Sequence, residues 1–100
     1  MIAKFNNLIQ AKQLVLVDFY ADWCGPCKMM SPVLQETKKE VKDDVKIIKI
    51  NVDQHQDLAT KLMVKGVPTL LLFKNGKMMW RQSGVLTKNQ LIEIINQHKN

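Results

Sequence analysis

The chain contains two cysteines, Cys24 and Cys27, separated only by Gly25 and Pro26. A thiol pair at this spacing has two chemistries open to it: half of a zinc site, or reversible disulfide exchange. A structural zinc takes four ligands. There is no second Cys-x-x-Cys pair, and the two histidines, His55 and His98, lie far along the chain. The balance therefore favours exchange. Two cysteines in one site also exclude a disulfide framework holding distant parts of the chain together.

Placement gives each thiol a separate task. A Val-rich run ends just before the pair, and a helical pattern begins with it. Cys24 is thus expected at a helix N-terminus, where free backbone N–H groups and the positive end of the helix favour a thiolate, the nucleophilic form. Cys27 lies one turn further in, on the apolar stripe. The expectation is an exposed attacking thiol and a shielded resolving thiol. Pro26 suits the first helical turn, where its missing N–H costs nothing.

The elements that position the pair can be read from periodicity. Phe5, Leu8 and Ile9 sit at helical spacing and predict a helix over about Ala3 to Lys12. Leu14 to Ala21 reads as a strand buried on both faces. Cys27, Met30, Leu34, Thr37 and Val41 recur at intervals of three and four, predicting a helix from about Cys24 to Lys42 with a kink at Pro32. Lys46 to Val52 is a second strand. Leu58, Leu62 and Met63 mark a short helix ended by Gly66. Thr69 to Phe73 and Lys77 to Gln82 are strands joined by the hairpin dipeptide Asn75-Gly76. Thr87, with Gln90 three residues on, forms a capping box for a last helix whose inner stripe is Leu91, Ile94, Ile95 and His98. Strand–helix–strand units imply parallel pairing, and the hairpin adds an antiparallel strand. The fold class is α/β, a mixed sheet with helices on both faces and one domain over residues 1–100.

One residue conflicts with its surroundings. Asp18 lies inside Leu14-Val15-Leu16-Val17-Asp18-Phe19, and a carboxylate is costly there unless it is partnered or neutral. The other reading puts it in solvent at the strand's end. Lys49, in Ile47-Ile48-Lys49-Ile50, reads from its residue type as an edge lysine reaching water.

Bulk properties narrow the classes. With 46% hydrophobic residues the chain can build a core, which argues against disorder. The net charge is +6, but the lysines are scattered and Arg81 is the one arginine, a poor match to nucleic-acid recognition. A basic surface that aids solubility or favours acidic partners fits better. No signal-type apolar segment follows the N-terminus, and the run Leu14 to Val17 stops at Asp18, so a membrane role is not expected and a cytoplasmic location is.

Four stretches together resemble the thioredoxin family: Val17 to Lys28 with Trp23-Cys24-Gly25-Pro26-Cys27 at its centre, Asn51-Val52-Asp53, Gly66-Val67-Pro68-Thr69-Leu70, and Phe73-Lys74-Asn75-Gly76. They cover most of the chain from residue 14 onward. The resemblance implies the thioredoxin fold: a central mixed sheet of four strands, a first strand clipped or missing because only Met1 and Ile2 precede the first helix, and four flanking helices. It implies a protein-disulfide reductase with Cys24 as nucleophile, Cys27 as resolving cysteine, Asp18 assisting proton transfer and Lys49 beside it. Pro68 matches the family's cis-proline. Trp23, Gly25, Pro26, Val67, Pro68 and Gly84 match the client-docking patch. No bound cofactor or metal is implied. The working group is a Cys24–Cys27 disulfide, reduced with NADPH electrons through a flavin-dependent thioredoxin reductase. The implied partners are that reductase and disulfide-bearing client proteins, with the chain a monomer. Two departures stand near the site: Tyr20 where tryptophan is common, and Ser83 where valine often precedes the glycine. An oxidising exported enzyme and a redox-independent subunit remain alternative uses of the same fold.

Overall fold

The computed structural model describes residues 1–99. In chain order the elements are α1 (Ile2–Leu8), β1 (Leu14–Tyr20), α2 (Gly25–Val41), a 3-10 turn (Lys42–Asp44), β2 (Val45–Asn51), α3 (Gln56–Lys61), β3 (Thr69–Lys74), β4 (Lys77–Ser83) and α4 (Lys88–His98). The strands form one sheet in the order β2-β1-β3-β4. β1 and β2 are parallel, whereas β1–β3 and β3–β4 are antiparallel. Among the described residues no strand precedes α1, so the sheet has four strands.

β1 runs through the centre, and its alternation divides the core. Leu14 and Leu16 join Leu70 and Leu72 of β3 beneath α2 and α4, packing on Met30, Leu34, Val41, Leu91 and Ile95. Val15, Val17 and Phe19 point the other way, toward Phe5 and Ile9 of the first helical segment and Leu58 of α3. Phe5 meets Phe73 edge-on with ring centroids 5.5 Å apart, and Phe19 lies 6.5 Å away. Each such side chain, fully buried, contributes about 1.5–3 kcal/mol. Both faces of β1 are thus covered, as its unbroken apolar run requires.

α2 runs uninterrupted through Pro32, and its buried residues are the five of the predicted stripe. In α4 the capping box between Thr87 and Gln90 is formed in both directions, at 2.9 and 3.1 Å. Leu91 and Ile95 are buried, while Ile94 and His98 are half-buried at the flank of the stripe.

Two helix ends differ from expectation. α1 stops at Leu8 rather than Lys12, because the Ile9 carbonyl accepts the Gly76 N–H at 3.0 Å and the chain turns there toward β1. α3 ends at Lys61, well before Gly66. Met63 has φ 55° and is 66% exposed, so it leaves the apolar stripe. The guanidinium of Arg81 on β4 donates to the carbonyl oxygens of Leu62 at 2.7 Å and Met63 at 3.1 Å. A helix end whose carbonyls find a side-chain donor needs no glycine to close it.

Candidate active site

Cys24 is the N-cap of α2, with extended backbone angles, and Pro26 stands in the first turn. The Cys27 backbone N–H donates to Cys24 Sγ at 3.1 Å. Sulfur thus takes the place of the usual capping oxygen and meets one of the free donors at the helix start. The two cysteines form a disulfide with their Cα atoms 5.3 Å apart. In the reduced form the same N–H and the helix end favour negative charge on Cys24 Sγ.

The expected contrast in exposure is not observed. Cys24 is 3% exposed and Cys27 4%. Both pack with Ala21, against Tyr20, Val52 and Val67. The contrast is one of direction. Cys24 Sγ faces the loop before β3, 3.6 Å from the Val67 carbonyl oxygen. Cys27 lies along the buried stripe of α2 and borders a cleft of about 140 Å³ shared with Tyr20, Lys28, Ser31 and Lys49. A larger cleft of about 600 Å³ lies at the far end of the sheet, among Lys12, Asp43, Asp44, Lys74 and Lys99, with no cysteine in its lining.

Asp18 has no exposed surface, which rules out the solvent-facing reading. Neither carboxylate oxygen has a hydrogen-bond partner. Burial pushes its pKa from 3.8 up to about 6, and Lys49 pulls part of the way back. Lys49 is its register partner on β2. It does not form an ion pair with the acid. Its ammonium donates to Ser31 Oγ at 3.0 Å and lies 4.8 Å from the centre of the Tyr20 ring. Lys49 is an exposed residue near the acid, so the two sequence readings of it are both partly right.

The Val67–Pro68 peptide bond is cis. Val67 is half-buried and Pro68 buried. Gly84 has φ +100°, a region open to glycine, and its N–H donates to the Pro68 carbonyl at 2.9 Å. A Cβ added at Gly84 or at Gly25 meets no atom within 4 Å, so both positions leave open space. Trp23 is 71% exposed, and its indole N–H donates to Asp53 Oδ2 at 2.8 Å. Two residues here were not singled out from the sequence as site residues: Asp53 and Ser31. Asp53 lies in one of the family-like stretches, which was a usable signal. Ser31 carried none.

No group of three or more His, Cys, Asp or Glu residues able to hold a metal occurs among the described residues. No described helix is long and apolar enough to cross a membrane.

A family model described as Thioredoxin matches residues 2–97. The chain is 51% identical to a thioredoxin of Haemophilus influenzae over 97 residues, covering 96% of this chain and 91% of that one. It is 50% identical to a thioredoxin of Chlamydia caviae over 94 residues, covering 94% and 90%. Among solved structures, a thioredoxin variant from Halobacterium salinarum superposes with TM-score 0.89 at 36% identity, covering 98% of this chain and 85% of that one. The oxidised mitochondrial thioredoxin 3 of Saccharomyces cerevisiae gives 0.87 at 35% identity, covering 96% and 89%. With its Cys24–Cys27 disulfide at the start of α2, the chain belongs to the thioredoxin family and is a thiol–disulfide oxidoreductase acting on protein disulfides.

Proposed function

We propose that the chain works as a single-domain, monomeric reductant in which Cys24 attacks and Cys27 resolves. The observation that carries this assignment is the N-cap position of Cys24, with the Cys27 N–H on its sulfur. The Cys24 thiolate attacks one sulfur of a client disulfide. A mixed disulfide forms, and the client's other sulfur leaves as a thiolate. Cys27 then loses its proton and attacks Cys24 Sγ. The second client sulfur departs, and two electrons have passed from the dithiol to the client. Asp18 supplies the base for Cys27. Burial raises it to about 6, so at neutral pH it is ionised yet more basic than an ordinary carboxylate. Lys49 lies beside it and favours its ionised form.

The docking surface in this reading is Trp23, Gly25, Pro26, Val67, Pro68 and Gly84. An extended client segment pairs with the Val67 backbone next to the disulfide, a short form of strand addition. The open space at Gly25 and Gly84 supports that reading. A flavin-dependent thioredoxin reductase returns two electrons from NADPH. In this reading the chain is cytoplasmic, a compartment whose thiols are kept reduced. Nucleic acid is not a partner in this reading. Its one arginine, Arg81, is engaged by the Leu62 and Met63 carbonyls.

The test is insulin reduction coupled to a reductase. Cys24→Ser abolishes turnover. Cys27→Ser accumulates a protein–client mixed disulfide that dithiothreitol releases. Full turnover by Cys24→Ser would falsify the assignment. A reduction potential measured in parallel fixes the direction. The value typical of thioredoxins is about −270 mV, a family figure and not one derived from this structure. A potential near about −120 mV instead makes the chain an oxidant.

A further inference from the structure

A line of hydroxyl groups crosses beneath the loop that carries Val67. Thr69 opens β3, and its register partner is Ser83, the last residue of β4. Thr69 is wholly buried. Its Oγ1 donates to the Gly66 carbonyl oxygen at 2.6 Å and lies 2.9 Å from Ser83 Oγ. A hydroxyl has a single proton to donate. The Thr69 proton is on the Gly66 bond, so the Ser83 hydroxyl must be the donor in the second. The direction of the chain is thereby set: Ser83 to Thr69 to Gly66.

The consequence appears one atom further on. Gly66 C=O and Val67 N–H belong to the same planar peptide unit, and in a trans unit they point in opposite directions. Holding the Gly66 oxygen inward on Thr69 therefore turns the Val67 N–H away from the sheet. Among the described residues that N–H has no backbone acceptor. The Pro68–Thr69 peptide is anchored as well, since the Gly84 N–H holds the Pro68 carbonyl at 2.9 Å. Residues 83 and 84 thus restrain both ends of the segment 66–68, one through a side chain and one through the backbone.

We infer that Ser83 is a positioning residue for client docking, holding the Gly66–Val67 peptide so that the Val67 N–H is presented to an extended client segment. The inference rests on the reading that clients pair with the Val67 backbone. It adds that this chain gives the docking loop a polar brace, where an apolar residue at position 83 could pack but could not donate. Without the Ser83 proton, the Thr69 hydroxyl keeps its Gly66 bond but loses the contact that fixes its orientation, and it holds the Gly66–Val67 unit less firmly. The docking step weakens. The thiol chemistry does not change, because the Ser83 hydroxyl bonds to Thr69 and makes no hydrogen bond to either cysteine.

Stopped-flow oxidation of the reduced protein tests this, using a disulfide-bonded peptide, its depsipeptide twin, in which ester carbonyls, weaker acceptors for the Val67 N–H, replace the amides beside the cystine, and bis(2-hydroxyethyl) disulfide. Wild type is expected to prefer the all-amide peptide. Ser83→Ala raises the half-saturating concentration of that peptide about fivefold, equal to about 1 kcal/mol. It leaves the limiting rate and the rate with the small disulfide unchanged. Ser83→Thr keeps the donor and restores the wild-type value. The inference is overturned if Ser83→Ala leaves half-saturation where it was, or if Ser83→Thr behaves like Ser83→Ala. It is also overturned if the small disulfide slows in parallel, because the hydroxyl then acts on the thiols or on the fold. A wild type that treats both peptides alike refutes Val67 pairing itself, whatever Ser83 does.

Discussion

Thr69 and Asp18 are two polar residues with no exposed surface, on adjacent strands and one register step apart. Their surroundings are opposite. Thr69 donates to Gly66 and accepts from Ser83, so its hydroxyl is satisfied and braces the loop. Asp18 lies on the β1 face turned toward α2 and has no partner for either oxygen. Burying a polar group without a hydrogen bond costs free energy, and a carboxylate responds by shifting its pKa. The contrast separates two uses of buried polarity. A bonded hydroxyl stiffens architecture, while an unbonded acid holds a proton at an unusual pH.

The largest expected effect comes from removing the charge at Asp18. Its folded pKa, about 6, lies above the ordinary 3.8. The folded state therefore binds the proton more tightly than the unfolded state. Stability is highest below 3.8, falls as pH rises through the window up to about 6, and stays reduced above it. The loss is of order 3 kcal/mol, since one pKa unit corresponds to 1.36. Asp18→Asn removes this dependence. Urea unfolding of the oxidised protein at several pH values should show the variant more stable by about 1–3 kcal/mol at pH 8, with the gap closing below about pH 4. A variant no more stable than wild type at pH 8 breaks the comparison, because Asp18 then has partners in solution.

Thr69→Val should act in the other direction. It deletes a satisfied hydroxyl and leaves the Gly66 carbonyl and the Ser83 donor without it, for a loss of about 1–2 kcal/mol. No titratable group is involved, so the loss should be the same at pH 4 and pH 8 in the same unfolding series. A pH-dependent loss ties the two sites together and removes the distinction.

The smallest effect sharpens the Asp18 half. Lys49 lowers the Asp18 pKa across the β1–β2 register, so Lys49→Met should raise it. The stability at pH 8 should then drop a little further, by less than about 1 kcal/mol, because the ammonium is exposed and screened. Carboxyl NMR titration reads the midpoint directly. A downward shift means that Lys49 does not lower the pKa of this acid.

The features legible in the sequence are those made by near neighbours. The Cys24–Cys27 pair, the Pro26 turn, the stripe on α2, the Thr87–Gln90 box and the Asn75-Gly76 hairpin each involve residues a few positions apart. Their geometry follows from helix and turn periodicity. The conflict between Asp18 and its apolar run was legible for the same reason, since a charge inside a strand buried on both faces has nowhere to go. Family resemblance supplied the cis arrangement before Pro68, which residue type alone does not dictate.

What only the tertiary structure decided depends on partners far apart in the chain. Cys24 faces the Val67 carbonyl, 43 positions away, and this closes over the thiol that the sequence placed in solvent. α3 ends where Arg81 reaches its carbonyls from β4, and not where Gly66 suggested. Asp53 holds the Trp23 indole from 30 positions away. Ser83 read as a single polar substitution until the β3–β4 register set it opposite Thr69. The physical reason is the same throughout. Local spacing determines which face a side chain takes, but only chain crossing brings a donor from one element to an acceptor on another.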